Sequence, residues 1–391
     1  MSSGPFAHLR PMTDGIEPIP VEERQGRLEK ARRLMARAGI DAIYLEGGSS
    51  LLYFTGIPWG RSERMAAAVV PAAGEIAYVC PAFEEARFRE RVLFGDDVRT
   101  WQEHESPCEL VAGILRDRGV AAGTLGIEET VRFFLFDGIR RAAPNVELAS
   151  ADPVTIPCRS IKSAAEIALL QRAMDITAEA YQAVLPLLAE GMSQDEFRAL
   201  AAEAHKALGV RGGIDAQFGA STAFPHGSKE LTYLAAGDVV LMDGGCTVEG
   251  YHSDISRTIV FGEPTRRQRD VWELEKRAQA AAFAAAQVGA PCEAVDAAAR
   301  KVITDAGFGP DYEVPGLPHR TGHGIGLDVH EWHHLVRGNT TPLAAGMCFS
   351  NEPMIAIYGE FGVRIEDCMV VTDAGPRFFT QPSPAIDRPF A

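Results

Sequence analysis

An acidic residue at the end of an apolar strand must find either water or a partner, and this chain poses that problem at Asp243, with three further acids at telling spacings. Asp243 closes the apolar run Val239-Val240-Leu241-Met242, and Asp254 follows eleven residues later in Gly250-Tyr251-His252-Ser253-Asp254. Glu352 and Glu366 form a second pair, fourteen residues apart. Between the pairs lies a His- and Gly-rich stretch, His319-Arg320-Thr321-Gly322-His323-Gly324-Ile325-Gly326. A hairpin brings residues at such spacing side by side. Adjacent carboxylates repel and raise each other's pKa, and divalent cations remove that cost. Either Asp alone is explained as well by turn capping. Four carboxylates and a histidine together are the oxygen-rich set that two neighbouring divalent cations require. They point to hydrolysis by a metal-activated hydroxide.

The remaining candidates flank this set. The glycines beside His323 let backbone crowd a site or adopt φ > 0. His319 and His330 cluster with His323 in one short loop, as catalysis or metal binding demands. Arg364 and Glu366 stand two apart in Gly362-Val363-Arg364-Ile365-Glu366, so a strand directs both to one face. A surface Arg–Glu ladder has the same spacing; a cation beside a metal ligand would grip a substrate carboxylate. His226, in Phe224-Pro225-His226-Gly227, reads alone as a turn histidine. A competing pattern is His330-Glu331-Trp332-His333-His334, which matches His-Glu-x-x-His, with Glu352 downstream. A single-zinc site of that type needs a helix, so that both histidines face one ion. The Gly-rich run before it and Pro353 after Glu352 oppose helix.

Length and composition limit the alternatives. At 391 residues the chain exceeds what one core usually serves, so two domains are expected. A net charge of -15 argues against a nucleic-acid surface. The seven cysteines form no Cys-x-x-Cys and read as reduced thiols of a cytoplasmic protein. The start lacks a basic stretch followed by an apolar core, so no signal peptide is expected. No apolar run reaches the roughly 18 residues of a membrane span.

Periodicity orders the chain. Residues 1–20 carry four prolines and read as an irregular arm. A helix is expected over Val21–Ala38, stopped by Gly39, then strands at Asp41–Leu45, Ala66–Pro71 and Glu75–Val79, a helix at Cys108–Asp117 and a strand at Thr124–Ile127. This alternation predicts a small α/β domain over residues 1–158. A second domain, 159–391, opens with three capping boxes: Ser163 with Glu166, Ser193 with Glu196, and Thr265 with Gln268. A fourth helix follows over Pro291–Asp305. Strands are expected at Val239–Met242, Gly250–Val260, Met347–Phe349, Met354–Ile357 and, as one piece, Val363–Val371. Helices thus alternate twice with hairpins, and each hairpin carries two acids, which hints at duplication.

The quoted motifs, with Gly237-Asp238, Ser256-Arg257-Thr258 and Asp367, resemble the pita-bread metallopeptidases, most closely over residues 160–375. That family includes prolidase, aminopeptidase P and methionine aminopeptidase. Leu52-Tyr53-Phe54-Thr55-Gly56 is similar to the creatinase-type N-terminal domain of prolidases and aminopeptidases P, which methionine aminopeptidases lack. The resemblance implies an α+β chain: a pita-bread (creatinase/aminopeptidase) C-terminal domain with a smaller α/β N-terminal one. It implies two divalent ions, manganese first, with cobalt, iron or zinc as options, held by Asp243, Asp254, His323, Glu352 and Glu366. It assigns catalytic or substrate contacts to His226, His319, His330, Glu352 and Arg364. The implied reaction is hydrolysis of the Xaa-Pro bond by a hydroxide bridging the metals. The substrate would be a dipeptide or short peptide with proline second, in a homodimer or homotetramer. Action on longer peptides, as by aminopeptidase P, shares every residue named, and non-peptide hydrolases and lyases occur on the same scaffold. Two positions depart from the pattern: Met354 stands where Gly is usual, and Ala356 where Tyr is usual, with Tyr358 nearby.

Overall fold

Short apolar runs bounded by Gly and Pro build the smaller of two units, Pro18–Arg159. The computed structural model describes residues 4–390. The unit's strands are β1 (Ala42–Glu46), β2 (Ala67–Pro71), β3 (Ala77–Pro81), β4 (Asp97–Trp101), β5 (Thr124–Ile127) and β6 (Glu147–Ser150). They form one mixed sheet in the order β4-β3-β2-β1-β5-β6. The expected α/β character is therefore present. The Val21–Ala38 helix ends as expected: Gly39 takes φ 68 and its N–H bonds Met35 O. Tyr44, Val69, Val79, Leu125, Ile114 and Leu115 are buried in this unit's core.

The larger unit begins at Ser160 and includes the arm before Pro18. Met12 N–H donates to Leu208 O at 2.9 Å, and Arg172 Nη1 donates to Met12 O at 3.0 Å. The arm so packs with the larger unit and not with the sheet it precedes in sequence. All three expected capping boxes form, at the starts of the Ala164–Val184, Gln194–Ala207 and Arg266–Ala285 helices. The fourth helix, Cys292–Asp305, packs along the third.

Each helix pair is followed by antiparallel strands. After the first come β7 (Gly212–Phe218), β8 (Val239–Val248), β9 (Tyr251–His252) and β10 (Ile255–Val260), ordered β10-β8-β7, with β9 folded on the end of β8. After the second come β11 (Gly322–Gly324), β12 (Glu331–Leu335), β13 (Cys348–Asn351), β14 (Met354–Ile357), β15 (Phe361–Arg364), β16 (Asp367–Thr372) and β17 (Gly375–Phe378). These divide into a sheet ordered β12-β11-β13-β16-β17 and a separate β14-β15 hairpin. Trp272, Val295, Phe349, Ile365 and Met369 lie in one apolar core between the second helix pair and these strands. Among the described residues no helix is long and apolar enough to cross a membrane.

One strand expectation needs correction, and the competing zinc pattern is settled as its sequence context suggests. Val363–Val371 is not one strand: it breaks at Ile365-Glu366, and its halves pair in different sheets. The His330–His334 segment is not helical: Glu331–Leu335 is strand β12, so the single-zinc geometry fails.

Candidate metal centre

The break in the expected strand is where the acids meet. Glu366 N–H donates to Ser256 O at 3.1 Å, joining the end of one sheet to the other half of the unit. Ser256 lies opposite Asp243 in the β8–β10 ladder. Its hydroxyl lies 3.1 Å from Asp243 Oδ1 and 2.7 Å from Glu366 Oε2. Asp254 sits in the gap between β9 and β10. The ligand atoms of Asp254, His323 and Glu366 all lie within 4.8 Å of one another. Glu352 joins them through His323, whose Nε2 is 3.0 Å from Glu352 Oε1 and 3.7 Å from Asp254 Oδ2. All five expected ligands are therefore brought to one place from five separate stretches of chain.

Several observations fit a cation here. His323 Nδ1 is 3.1 Å from its neighbour Gly324 O, which assigns the ring proton to Nδ1 and leaves the Nε2 lone pair facing carboxylates. Glu366 Oε1 is buried without a hydrogen-bond partner. Burial, and then the neighbouring Asp243, push the Asp254 carboxyl well above its usual range. Burial and then Asp254 do the same to Glu366. Such a cluster is costly as bare anions and favourable around divalent ions. Without a cation the acids favour a second proton on His323, at Nε2; burial raises Glu352, but that charge together with His319 and Arg364 outweighs it and holds the carboxylate below its usual range.

The loop glycines serve crowding rather than positive φ. A Cβ on Gly324 would lie 2.7 Å from Trp332 O and 2.8 Å from Glu331 O. One on Gly326 would lie 2.8 Å from Glu331 Oε1, a carboxylate that also pairs with buried Lys162 Nζ at 2.9 Å.

The other expected site residues surround the acids unequally. His330 is exposed and stands edge-on to His323, ring centroids 4.2 Å apart. His319 Nε2 is buried without a hydrogen-bond partner, while its Nδ1 lies 2.6 Å from Arg320 O. Burial lowers the pKa of His319, so the neutral ring offers Nε2 as an acceptor. His226 lies exposed on a turn, near enough for its charge to lower His319 and His330 further. Arg364 faces the same point as Glu366, as strand spacing predicts, and each of its three guanidinium nitrogens makes a bond. It donates to Asp243 Oδ2 at 2.7 Å, Ser256 Oγ at 3.0 Å and Pro225 O at 3.0 Å. In this geometry it clamps the site. Tyr358 stacks on Phe224, centroids 5.3 Å apart, both exposed.

Sequence reasoning overlooked Gln279, and it quoted Ser256, Arg257 and Asp367 only as motif residues without a role; Arg257 and Asp367 form a buried pair that meets at 2.7 Å.

Fold and site together define a metallopeptidase of pita-bread architecture. Residues 168–373 match the model of metallopeptidase family M24, and residues 27–161 match the creatinase/prolidase N-terminal domain. The chain belongs to metallopeptidase family M24, whose members work with divalent metal ions. It is 34% identical to an Xaa-Pro dipeptidase of Lactobacillus helveticus, over 90% of this chain and 96% of that protein. Among solved structures, prolidase from Thermococcus sibiricus superposes with a TM-score of 0.84 at 30% identity, covering 92% of this chain and 97% of that one. Dipeptidase PepE from Mycobacterium ulcerans gives 0.85 at 33% identity, covering 93% and 97%. X-Pro aminopeptidase from Thermotoga maritima gives 0.79 at 26% identity, covering 90% and 97%.

Proposed function

We propose that this chain hydrolyses the bond before proline in Xaa-Pro dipeptides. The observation that carries the reading is the convergence of Asp254, His323 and Glu366 within 4.8 Å, with Glu352 and Asp243 joined to them. Similarity to Xaa-Pro dipeptidases over nearly the whole chain supports the substrate class.

Asp243, Asp254, His323, Glu352 and Glu366 would hold two divalent ions, and a carboxylate-rich set with one imidazole suits manganese. Bound there, such ions lower the pKa of water and polarise a carbonyl oxygen. The protein's own groups supply the rest. Glu352 faces the charge of Arg364, which favours its ionised form, so its carboxylate would accept a proton and release it towards the leaving nitrogen. His226 and His330, both exposed beside the acids, would orient the scissile carbonyl and donate to its developing charge. His319 Nε2 would accept a hydrogen bond from the substrate. Proline's nitrogen carries no N–H in the peptide, so a dedicated site must recognise ring shape instead of that donor.

A panel of Gly-Pro and Xaa-Pro peptides of increasing length, with added manganese, tests the reading. Proline release from Gly-Pro, falling as peptides lengthen, is expected. Faster cleavage of tripeptides and longer chains would favour aminopeptidase action, which the X-Pro aminopeptidase fold supports equally. No proline release from any of them would overturn the assignment.

A further inference from the structure

We propose that Gln279 is a positioning residue that fixes Glu352 and Glu366 together, an inference resting on the metal centre described above. β13 and β16 pair as far as Asn351 opposite Asp367, and the ladder resumes at Met354 opposite Arg364 in the β14–β15 hairpin. Both metal-facing glutamates lie in the gap between these ladders. There the two strands part company. Glu352 N–H turns outward to Thr321 O at 2.9 Å, while Glu366 N–H turns the other way to Ser256 O at 3.1 Å. Pro353 has no N–H with which to restore pairing. A buried split of this kind leaves carbonyls without ladder partners, and each costs free energy unless satisfied.

Gln279 fills the split. It is buried on the Arg266–Ala285 helix. Its Nε2 donates to Ile365 O at 3.1 Å and Asp367 Oδ2 at 3.0 Å, with a longer contact to Asn351 O at 3.4 Å. Asn351 Nδ2 answers by donating to Gln279 O at 3.0 Å. One amide group thus holds the residue before Glu352 and the residues on both sides of Glu366. Arg257 completes the clamp, donating to Glu366 O at 2.7 Å and pairing with Asp367. The amide also ties the two glutamates' main chains to each other, so neither can drift without disturbing its neighbour. Groups behind metal ligands set their aim, and their loss commonly costs about 10- to 100-fold in metal affinity.

The test is manganese titration of the full-length apo-protein by calorimetry and electron paramagnetic resonance, with activity on Gly-Pro alongside. Gln279→Met keeps the volume and removes the donors. We expect a folded protein whose manganese affinity falls about tenfold or more, with a weakened signature of paired ions and a loss in kcat larger than the rise in KM. Val271→Ala, a core truncation on the same helix, serves as the control and should lower stability without changing the isotherm. If Gln279→Met does not fold, Gln279→Asn, shorter by one methylene, is read in its place. A wild-type isotherm in either folded variant overturns the proposal. If the wild-type chain itself takes up no pair of ions, the metal centre falls, and this role falls with it.

Discussion

Arg364 Nη2 lies 2.7 Å from Asp243 Oδ2, pinning a hairpin of the second half of the larger unit to a central strand of the first. Arg364 is almost fully buried, and two further bonds from the same fork hold Ser256 and Pro225. Without metal it is the principal positive charge among the acids. Arg364→Met should therefore lower the melting temperature more in chelator than in manganese, because bound cations replace part of the lost charge. A loss on the order of 2–4 kcal/mol is expected in the metal-free protein, towards the lower side of buried-pair breakage since Asp243 is partly exposed. Arg364→Lys should not rescue, because an ammonium cannot make three forked bonds. Equal losses with and without metal would contradict this account.

Metal stabilisation should depend on pH with a definite sign. Asp254 and Glu366 have raised pKa values in the metal-free chain, so the stability they contribute is fully present below their ordinary values and is lost as pH rises through the raised ones. Cations compete with those protons. The gain in melting temperature on adding manganese should be larger at pH 8 than at pH 5, as thermal melts in parallel buffers would show. A larger gain at pH 5 would refute it.

Glu275 is a second buried acid, one turn before Gln279 on the same helix. Burial pushes its pKa far up, and the backbone N–H of Ile365 and the charge of Arg364 pull it back only in part. Its contribution therefore also fades as pH rises above the ordinary glutamate range. Glu275→Gln should raise stability relative to wild type at pH 8 and leave it unchanged or lower near pH 4. Denaturant midpoints at the two values measure the crossover. A wild-type-like dependence would show that the carboxyl is solvated.

Gly324→Ala tests the crowding around His323. The added methyl would press on the Trp332 and Glu331 carbonyls at 2.7 and 2.8 Å, both main-chain atoms that cannot swing away. A loss of about 1–3 kcal/mol is expected from overpacking, together with weaker manganese binding, because β11 carries His323 between these contacts. A variant with unaltered melting and metal affinity would disprove that β11 must lie this close to β12.

Local signals were the most legible. Ser163, Ser193 and Thr265 each announce a helix three residues before an answering Glu or Gln, and each box forms. Motif spacing drew attention to the five acidic and imidazole positions. Partners joined across long stretches of chain were not legible. Gln279 meets Asp367 across 88 residues, and nothing near it in sequence marks it out. Strand β7 was also missed, because Gly212-Gly213 reads as loop. In the fold, a Cβ on Gly212 would lie 2.7 Å from Cys246 Cβ and 2.8 Å from Gly245 O, so glycine is what lets this strand pair. The break at Ile365-Glu366 was hidden for a related reason. Val363–Val371 is apolar enough to be one strand, and only pairing to two different sheets divides it.

Met354, where the family usually has glycine, is buried in the β14–β15 hairpin. The two residues Met354 and Gly362 are diagonal neighbours on one face, and the terminal methyl of Met354 sits 2.8 Å from where a Gly362 Cβ would be. The main chain sets the tighter limit, because the same Cβ would lie 2.3 Å from Thr222 O, so trimming Met354 alone would not make room at position 362. Any side chain at 362 would overfill the hairpin that carries Arg364, so this glycine guards the aim of a charge two residues away.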